Sequence, residues 1–236
     1  MTSRPTVILA AMTNWRRSVT IRAAATVALA LGAVACAGGD DDAATSASAT
    51  TTGLTACAED RHVVAFDYFG TVTVQDDNLG AWLADPVGAV PPARPGVADV
   101  ANAYKSLGYE IIYLTTAPSE ITVAERPIRD SILDWLLVNG FPIGDDASLW
   151  VWDGTHTPMR GIASEFDRLV SEGASIDAAY TDNEDKAFAF KTAVPSDHVF
   201  TIGTASMTTG VTPVPNDDMV AHAAEVAAQS PVCASA

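Results

Sequence analysis

The sequence is poor in basic residues. Its 236 residues include 13 Lys and Arg against 29 Asp and Glu, and the formal net charge is −16 at pH 7. Four of the basic residues fall within the first 36 positions, where no acidic residue occurs, so the remainder is more acidic still. Such a body is repelled by nucleic acid and by anionic lipid headgroups, and it tolerates metal cations well. We therefore expect no nucleic-acid partner.

Several common functional motifs are also missing. The sequence has no Gly-rich nucleotide loop, no Gly-x-Ser-x-Gly nucleophile elbow and no basic stripe. Its four His residues have no spacing typical of a metal site. The five Trp residues are more typical of core and surface anchors than of a stacking platform. The chemistry must therefore be sought among the carboxylates.

Cysteine is rare, with three residues, and the first stands in a characteristic place. Cys36 follows Ala33-Val34-Ala35, at the end of an apolar stretch that begins at Ala23 and is too short to cross a bilayer. We predict that residues 1–36 are an export signal. The residues before Cys36 resemble a bacterial lipobox, which implies a lipidated cysteine. Ordinary signal-peptidase cleavage and an uncleaved anchor are the alternatives.

The other two cysteines, Cys57 and Cys233, stand at the two ends of the predicted folded body. Export places them in an oxidising compartment, so we predict a disulfide between them, with two free thiols as the alternative. Residues 37–61 are dominated by small and polar residues, which predicts a flexible tether. Residues 62–236 are predicted to form one domain. We expect a protein held by a lipid anchor at the extracytoplasmic face of the cell membrane, or secreted.

Strand and helix patterns alternate along residues 62–236, which predicts an α/β fold with a parallel sheet. The predicted strands cover residues 62–67, 109–114, 148–152, 176–181 and 198–202. The predicted helices run from 95 to 107, from 123 or 126 to 139, and over 162–172, 183–192 and 217–228. The irregular segment after the first strand is long for a simple turn, so we expect it to carry a flap over the site.

Two of the predicted strands lead into carboxylates. The first strand ends at Asp67, and the fourth is followed by Asp182 and Asp185. In open parallel sheets the ligand site lies outside the carboxyl ends of the strands. We therefore expect these three side chains to meet at one edge, where they would hold a divalent cation and present one carboxylate as a nucleophile. The alternative for Asp182 and Asp185 is an acid-rich helix start.

These motifs resemble the haloacid dehalogenase superfamily, and more narrowly the lipin-type phosphatidate phosphatase domain and its relatives in phosphatidylinositol-transfer proteins. The similarity spans most of residues 60–205, and it is carried by Phe66–Thr73, Asp77–Gly80, Gly108–Thr115, Gly140–Gly144 and Asp185–Ile202. It implies a three-layer α/β/α Rossmann-like fold with strand order 5-4-1-2-3. It further implies a Mg²⁺-dependent phosphatase that works through an aspartyl-phosphate.

The resemblance also implies roles for particular residues. Asp67 would be the nucleophile, and Thr115 would donate its hydroxyl group to the phosphoryl group. Magnesium would be held by Asp67, the backbone carbonyl of Phe69, and Asp182 or Asp185.

Arg160 falls near the place of the family's third-motif lysine, because no Lys lies between Lys105 and Lys186. A surface position just before a helix is the alternative interpretation of Arg160.

Phe69 departs from the family pattern. Enzymes of the family carry there a second Asp that protonates the leaving group and later activates water. Loss of such an acid/base group lowers the rate by about 10²–10⁴-fold. The flap residues Asp76 and Asp77 are the possible substitutes.

Three functions therefore remain open. The first is a metal-dependent phosphatase for a small phosphorylated molecule or a phospholipid headgroup. The second is a catalytically degenerate protein of the same fold that binds such a ligand. The third is a dehalogenase-like hydrolase, since those enzymes carry an aromatic residue at the position of Phe69 and use no metal.

Overall fold

Strands and helices alternate along the part of the chain that the structure describes. This computed structural model describes residues 61–74, 78–145, 148–203 and 209–232. The strands are β1 (Arg61–Asp67), β2 (Glu110–Pro118), β3 (Thr122–Val123), β4 (Arg126–Pro127), β5 (Leu149–Trp152), β6 (Ala174–Thr181), β7 (Val199–Thr201) and β8 (Thr212–Pro213). The α-helices are α1 (Asn78–Ala84), α2 (Val97–Ser106), α3 (Ile128–Val138), α4 (Pro158–Ser171), α5 (Glu184–Phe190) and α6 (Met219–Ala227).

The main sheet has the strand order β5-β2-β1-β6-β7-β8, and every neighbouring pair in it is parallel. Its first five members correspond to the five predicted strands in the order 3-2-1-4-5, so the predicted α/β fold and strand order are confirmed. The short edge strand β8 and the antiparallel hairpin β3–β4 were not predicted. These strands are two residues long, and so short a segment carries no detectable periodicity.

Both faces of the sheet are buried beneath helices. Alternate residues of a strand point to opposite faces, so Val64 and Phe66 of β1 face one layer while Val63 and Ala65 face the other. Helices α1, α2, α3 and α6 pack over the first face, and α4 and α5 pack over the second. Burial on both faces explains why β1 reads as a continuous apolar run.

A row of aromatic side chains crosses the sheet beneath the first helix layer. Tyr113, Phe66, Tyr180 and Phe200 lie at paired positions of β2, β1, β6 and β7. The Phe66 and Tyr180 rings stack with their centroids 4.7 Å apart, and those of Tyr180 and Phe200 stack at 4.8 Å. Because a slip of one residue would move a whole strand's side chains to the opposite face, this row stabilises the observed register.

Strand β6 contains one irregularity. Val63 of β1 pairs with Ile176, whereas Val64 pairs with Ala178, so Asp177 is an extra residue opposite the β1 strand. This arrangement is a β-bulge, which interrupts the regular alternation and redirects the side chain of the extra residue.

The segment that follows β1 folds back over the carboxyl edge of the sheet. An antiparallel bridge between Thr73 and Ala93 closes its base, and within it helix α1 is held by Trp82, which is buried. The sequence predicted an irregular flap here and missed the helix. The proposed substitute acids Asp76 and Asp77 lie outside the described residues.

The predictions about the amino-terminal region also lie outside the described residues. They concern the export signal 1–36, residues 37–60 of the predicted tether, and the cysteines Cys36 and Cys57; Cys233, near the other end of the chain, also lies outside the described residues. The tether was predicted to run to residue 61, but Arg61 is already the first residue of β1. Within the described residues, no helix combines the length and the apolar character needed to span a bilayer.

Candidate functional site

A buried ion pair stands at the carboxyl end of β1. The Nζ atom of Lys186 lies 2.9 Å from Oδ1 and 2.8 Å from Oδ2 of Asp67. The side chains are only 5% and 1% exposed, respectively, so the pair is nearly removed from water. An ammonium group that contacts both oxygens stabilises the carboxylate form of Asp67, and breaking such a pair is expensive because it leaves a buried charge without compensation.

Helix α5 brings Lys186 to this position. Strand β6 ends at Thr181, and the Thr181 hydroxyl accepts a hydrogen bond from the backbone N–H of Asn183 at 3.1 Å. The Asn183 side chain then caps the helix by accepting from the backbone N–H of Lys186, also at 3.1 Å. Since β6 is a neighbour of β1 in the sheet, the first turn of α5 lies beside Asp67, and Lys186 points inward from it.

Two threonine hydroxyls connect Asp67 with the end of β6. Thr181 donates from Oγ1 to Oδ2 of Asp67 at 3.3 Å. The Thr71 hydroxyl lies 3.5 Å from the same oxygen, and it accepts a hydrogen bond of 2.8 Å from the backbone N–H of Asp182. The structure therefore brings Asp182 beside Asp67, although the two residues lie far apart in the sequence.

The carboxylate of Asp182 packs against Gly70. A Cβ atom placed on Gly70 would lie 2.1 Å from Oδ2 of Asp182, closer than any real contact. Gly70 also has φ +85°, a conformation that side-chain-bearing residues rarely adopt. Only glycine therefore allows both the sharp turn after Asp67 and the close approach of the second carboxylate.

Arg94 stabilises this turn from its outer side. Its guanidinium group donates from Nη2 to the carbonyls of Gly70 and Val74 and from Nε to the carbonyl of Thr71. The turn from Gly70 to Val74 is thus fixed by a side chain that lies just before helix α2.

The side chain of Phe69 lies in the core, whereas the role of its backbone carbonyl as a magnesium ligand stays a prediction. Phe69 is 4% exposed, and its ring packs edge-on against the ring of Tyr68 with the centroids 4.8 Å apart. Tyr68 is fully buried in the same core cluster, and this burial raises the pKa of its hydroxyl well above the usual range for tyrosine. Phe69 has no proton to donate to a leaving group.

The remaining predicted site residues lie at different distances from Asp67 in the fold. Thr115 is buried in β2, one residue beyond the one that pairs with Asp67, so it shares the carboxyl edge. Asp185 is exposed in the first turn of α5. Arg160 is exposed near the start of α4, which follows β5, and β5 is separated from β1 by β2. The roles assigned to these three residues stay predictions.

The donor atoms at this edge suit a hard cation in part. Asp67 and Asp182 supply two carboxylates beside one turn, and magnesium prefers carboxylate oxygens and retains several waters. Across the described ranges, no group of three or more His, Cys, Asp and Glu side chains is arranged to hold a metal ion. The two carboxylates fit a magnesium site that has few protein ligands.

The sequence reasoning missed two residues. Lys186 was not predicted because the third motif of the family places its lysine before Asp182. In this chain the lysine that contacts Asp67 directly follows Asp185. Its signal was a lysine on the inward side of a short helix that follows an acid-bearing strand. Arg94 was missed because a contact between a side chain and backbone carbonyls 20 or more residues away leaves no local pattern.

Comparison with curated proteins finds relatives among the phosphatidylinositol transfer proteins. Membrane-associated phosphatidylinositol transfer protein 3 of Homo sapiens is 29% identical over 119 residues, which are 50% of this chain and 11% of that protein. Protein retinal degeneration B of Drosophila melanogaster is 29% identical over 118 residues, 49% of this chain and 9% of that protein. The chain thus spans about a tenth of the length of these curated relatives.

A solved structure supports the fold. D,D-heptose 1,7-bisphosphate phosphatase from B. bronchiseptica, crystallised with magnesium and phosphate, superposes with a TM-score of 0.50 at 14% identity. The match covers 70% of this chain and 97% of that one. This likeness shows a haloacid-dehalogenase-like fold.

The family itself is shown by a match that runs from the middle of β1 to just past β7. Residues 64–203, which are more than half of the chain and include Asp67, Asp182 and Lys186, match the family described as PITM 1-3, LNS2 domain. The chain therefore belongs to the LNS2 domain family.

Proposed function

We propose that the carboxyl edge of the sheet binds a phosphate monoester and that Asp67 accepts its phosphoryl group in a slow hydrolysis. The observation that carries the proposal is the buried contact of Lys186 with both oxygens of Asp67. A carboxylate can act as the nucleophile in phosphoryl transfer, and a fixed ammonium group beside it stabilises the negative charge of the transferred group.

The chemistry of the first step follows from the residues present. An oxygen of Asp67 attacks phosphorus, the P–O bond to the leaving alcohol breaks, and the ammonium group of Lys186 compensates the negative charge of the transferred group. The leaving oxygen takes its proton from water, because Phe69 stands in the core where the family's enzymes have an acid. Magnesium, held by Asp67 and Asp182, would supply a further positive charge for the phosphate oxygens.

For a substrate such as p-nitrophenyl phosphate, whose leaving group departs without a proton, the second step is the slower one. Hydrolysis of an aspartyl-phosphate needs a base that activates water, and the buried Phe69 cannot provide one. The covalent intermediate should therefore accumulate, and this sets the proposal apart from an ordinary phosphatase.

A test follows from this accumulation. The purified chain is mixed with p-nitrophenyl phosphate and Mg²⁺, and the reaction is quenched in acid. The mass of the intact protein is then measured by mass spectrometry. We expect a mass increase of one phosphoryl group that is lost on treatment with hydroxylamine, is absent in Asp67→Asn and persists in the matched variant Asp167→Asn. Asp167 is an exposed acid on α4, so its replacement changes the net charge equally. Equal labelling of wild type and Asp67→Asn would overturn the proposal.

A second candidate is a binding protein without turnover. It is favoured by the position of Phe69 and by the engagement of both Asp67 oxygens, which leaves the nucleophile less available. The relatives are named for the transfer of phosphatidylinositol, so a phospholipid headgroup is the ligand to test. Saturable binding to vesicles that contain phosphatidic acid, with no covalent label from the aryl phosphate, would support this candidate over the first.

Export, lipid anchoring at Cys36 and a membrane-side location belong to the same proposal. They rest on the sequence alone, since Cys36 and the residues before it lie outside the described ranges. Metabolic labelling with a fatty acid, lost in Cys36→Ser, would test the anchor.

A further inference from the structure

A separate cavity opens toward the amino edge of the sheet, away from Asp67. It has a volume of about 390 Å³, and its walls include Tyr104, Tyr109, Asp177, His198, Phe200 and Gln229. This volume lies within the range of small-molecule sites. On strand β6, Asp177 lies four residues before Thr181, or roughly 13 Å at the usual rise of a strand, so the cavity is distinct from the candidate phosphate site.

The β-bulge in β6 is what presents Asp177 to this cavity. As the extra residue of the bulge, Asp177 leaves the regular alternation of the strand. Its carboxylate is held in place by His62, whose Nδ1 lies 2.6 Å from Oδ2, and by the hydroxyl of Ser175. The side chain is still 24% exposed, and a carboxylate has room for about four hydrogen bonds, so it can accept further ones from a ligand. Bulges are enriched beside functional sites for this reason.

His198 adds a second acceptor. Its Nδ1 lies 2.8 Å from the backbone carbonyl of Asp177. A carbonyl carries no proton, so Nδ1 must be the donor, and in the neutral ring Nε2 then bears a lone pair. The exposed His198 ring therefore offers an acceptor where it lines the cavity.

A buried chain of hydrogen bonds makes the Tyr104 hydroxyl an acceptor toward the cavity as well. The hydroxyls of Tyr104 and Tyr180 lie 2.9 Å apart, and Tyr180 lies 2.8 Å from Nε2 of His222. Nδ1 of His222 lies 3.2 Å from a carboxylate oxygen of Glu225, to which it donates. With a neutral His222, Nε2 accepts from Tyr180, which in turn accepts from Tyr104. The hydrogen of Tyr104 thus points into the protein, and its oxygen offers only lone pairs to a ligand.

Aromatic rings provide the rest of the surface. Tyr104 and Tyr109 meet edge to face with centroids 5.1 Å apart, and the ring of Phe200 also lines the cavity. Among the described residues on its walls there is no Lys or Arg. Aromatic rings together with one carboxylate attract cations, and without a Lys or Arg the described walls carry no fixed positive charge for an anion. The overall charge of −16 adds to this attraction.

We propose that this cavity binds a small organic ammonium ion, with the charged nitrogen between Asp177 and the rings of Tyr104, Tyr109 and Phe200. The site combines one negative charge with aromatic rings and the acceptors of Tyr104 and His198, and Gln229 is the one neutral amide on its described walls; its size admits an amine with a short substituent. It is independent of the phosphate chemistry proposed for Asp67.

Choline is a suitable probe, and its uncharged isostere 3,3-dimethylbutan-1-ol is the control for shape. Each is titrated into the purified full chain by calorimetry at constant ionic strength and slightly alkaline pH, where histidine is ordinarily neutral. We expect saturable choline binding with a Kd of about 1 mM or below, and binding of the alcohol at least about tenfold weaker. Equal affinities would show a purely apolar cavity, and no saturation at about 20 mM choline would show no site; either result overturns the proposal.

Variants separate this site from the rest of the molecule. Asp177→Asn and Tyr109→Leu should each weaken choline binding by about tenfold, since they remove the charge and one ring. Asp167→Asn changes the net charge equally on the other side of the sheet and should leave binding intact. Unchanged binding in both cavity variants would refute the assignment, and the Tyr109 variant keeps the test valid if Asp177→Asn does not fold.

Discussion

At the scale of single residues, the Asp67–Lys186 pair dominates the energetics of the candidate phosphate site. Both side chains are almost fully buried. We expect Lys186→Met to lower the free energy of unfolding by about 3–5 kcal/mol, because it leaves the Asp67 carboxylate buried without its ammonium partner. Urea unfolding followed by circular dichroism measures this change.

Two controls define the meaning of that result. The double variant Asp67→Leu/Lys186→Met removes both charges and should recover most of the loss. Arg126→Met breaks an exposed pair, since the side chains of Arg126 and Asp134 are 52% and 59% exposed, and it should change stability little. A double variant as unstable as Lys186→Met alone would contradict a buried-charge explanation.

Tyr104 carries a prediction about alkaline pH. Burial raises the pKa of its hydroxyl from 10.0 to about 12. A raised pKa in the folded state means that its stabilising effect is complete below pH 10 and is lost as the pH rises to about 12. The loss is up to about 3 kcal/mol.

Denaturant unfolding at a series of pH values from 9 to 12 tests this prediction. Tyr104→Phe should make the decline in stability between pH 10 and 12 shallower than in wild type. Tyr109→Phe, at a half-buried tyrosine, should alter the decline less. An identical decline in wild type and Tyr104→Phe would show that other groups account for it.

At the scale of elements, the turn after β1 decides where the second carboxylate lies. Gly70→Ala would force a Cβ into the space of the Asp182 carboxylate and would strain φ at +85°. We expect a loss of about 1–3 kcal/mol and a displaced Asp182. Thermal unfolding measures the loss, and the phosphoryl label should fall with it.

Gly140 offers a matched control for this substitution. It has a similar φ of +77°, but a Cβ placed there meets nothing within 4 Å. Gly140→Ala therefore reports the backbone strain alone. If the two variants were destabilised equally, the contact with Asp182 would be irrelevant.

Elements with strong local patterns were predictable, and those defined by distant contacts were not. Strands β1 and β6 could be found because both faces of the sheet are covered and each strand contains a short buried apolar run, Val63–Phe66 and Ala178–Tyr180. Their acid-bearing ends then placed Asp67 and Asp182 at one edge. Lys186 reaches Asp67 across 119 residues of sequence, and no periodicity encodes a contact at that distance. The bulge at Asp177 is likewise invisible in the sequence, since it is a property of strand pairing.

At the scale of the whole molecule, both ends of the described chain lie at the amino edge of the sheet. Arg61 begins β1 and contacts Glu110 at the start of β2, with 2.9 Å between Nη2 and Oε1. Val232 donates from its backbone N–H to the carbonyl of Leu107, just before β2, at 3.0 Å. Cys57 is four residues before Arg61, and Cys233 follows Val232 directly.

The disulfide between Cys57 and Cys233 stays a prediction from the sequence, because both cysteines lie outside the described residues. We expect the oxidised chain to gain two hydrogens in mass on reduction and to lose up to about 5 kcal/mol of stability. The variant Cys36→Ser should behave identically, whereas Cys57→Ser should abolish the mass change. Free alkylation of both cysteines without reductant would contradict the prediction.

The common position of Arg61 and Val232 at the amino edge also has a practical consequence for biosensor work. A capture tag fused directly before Arg61 or directly after Val232 would attach the protein to a chip by the side opposite Asp67. The phosphate-binding edge would then face the flowing analyte, whereas the cavity beside Asp177 would lie nearer the chip. Association rates measured with immobilised and with free protein should consequently agree for phosphorylated analytes. For ammonium ions the immobilised protein should associate more slowly, because the coating matrix would slow their access.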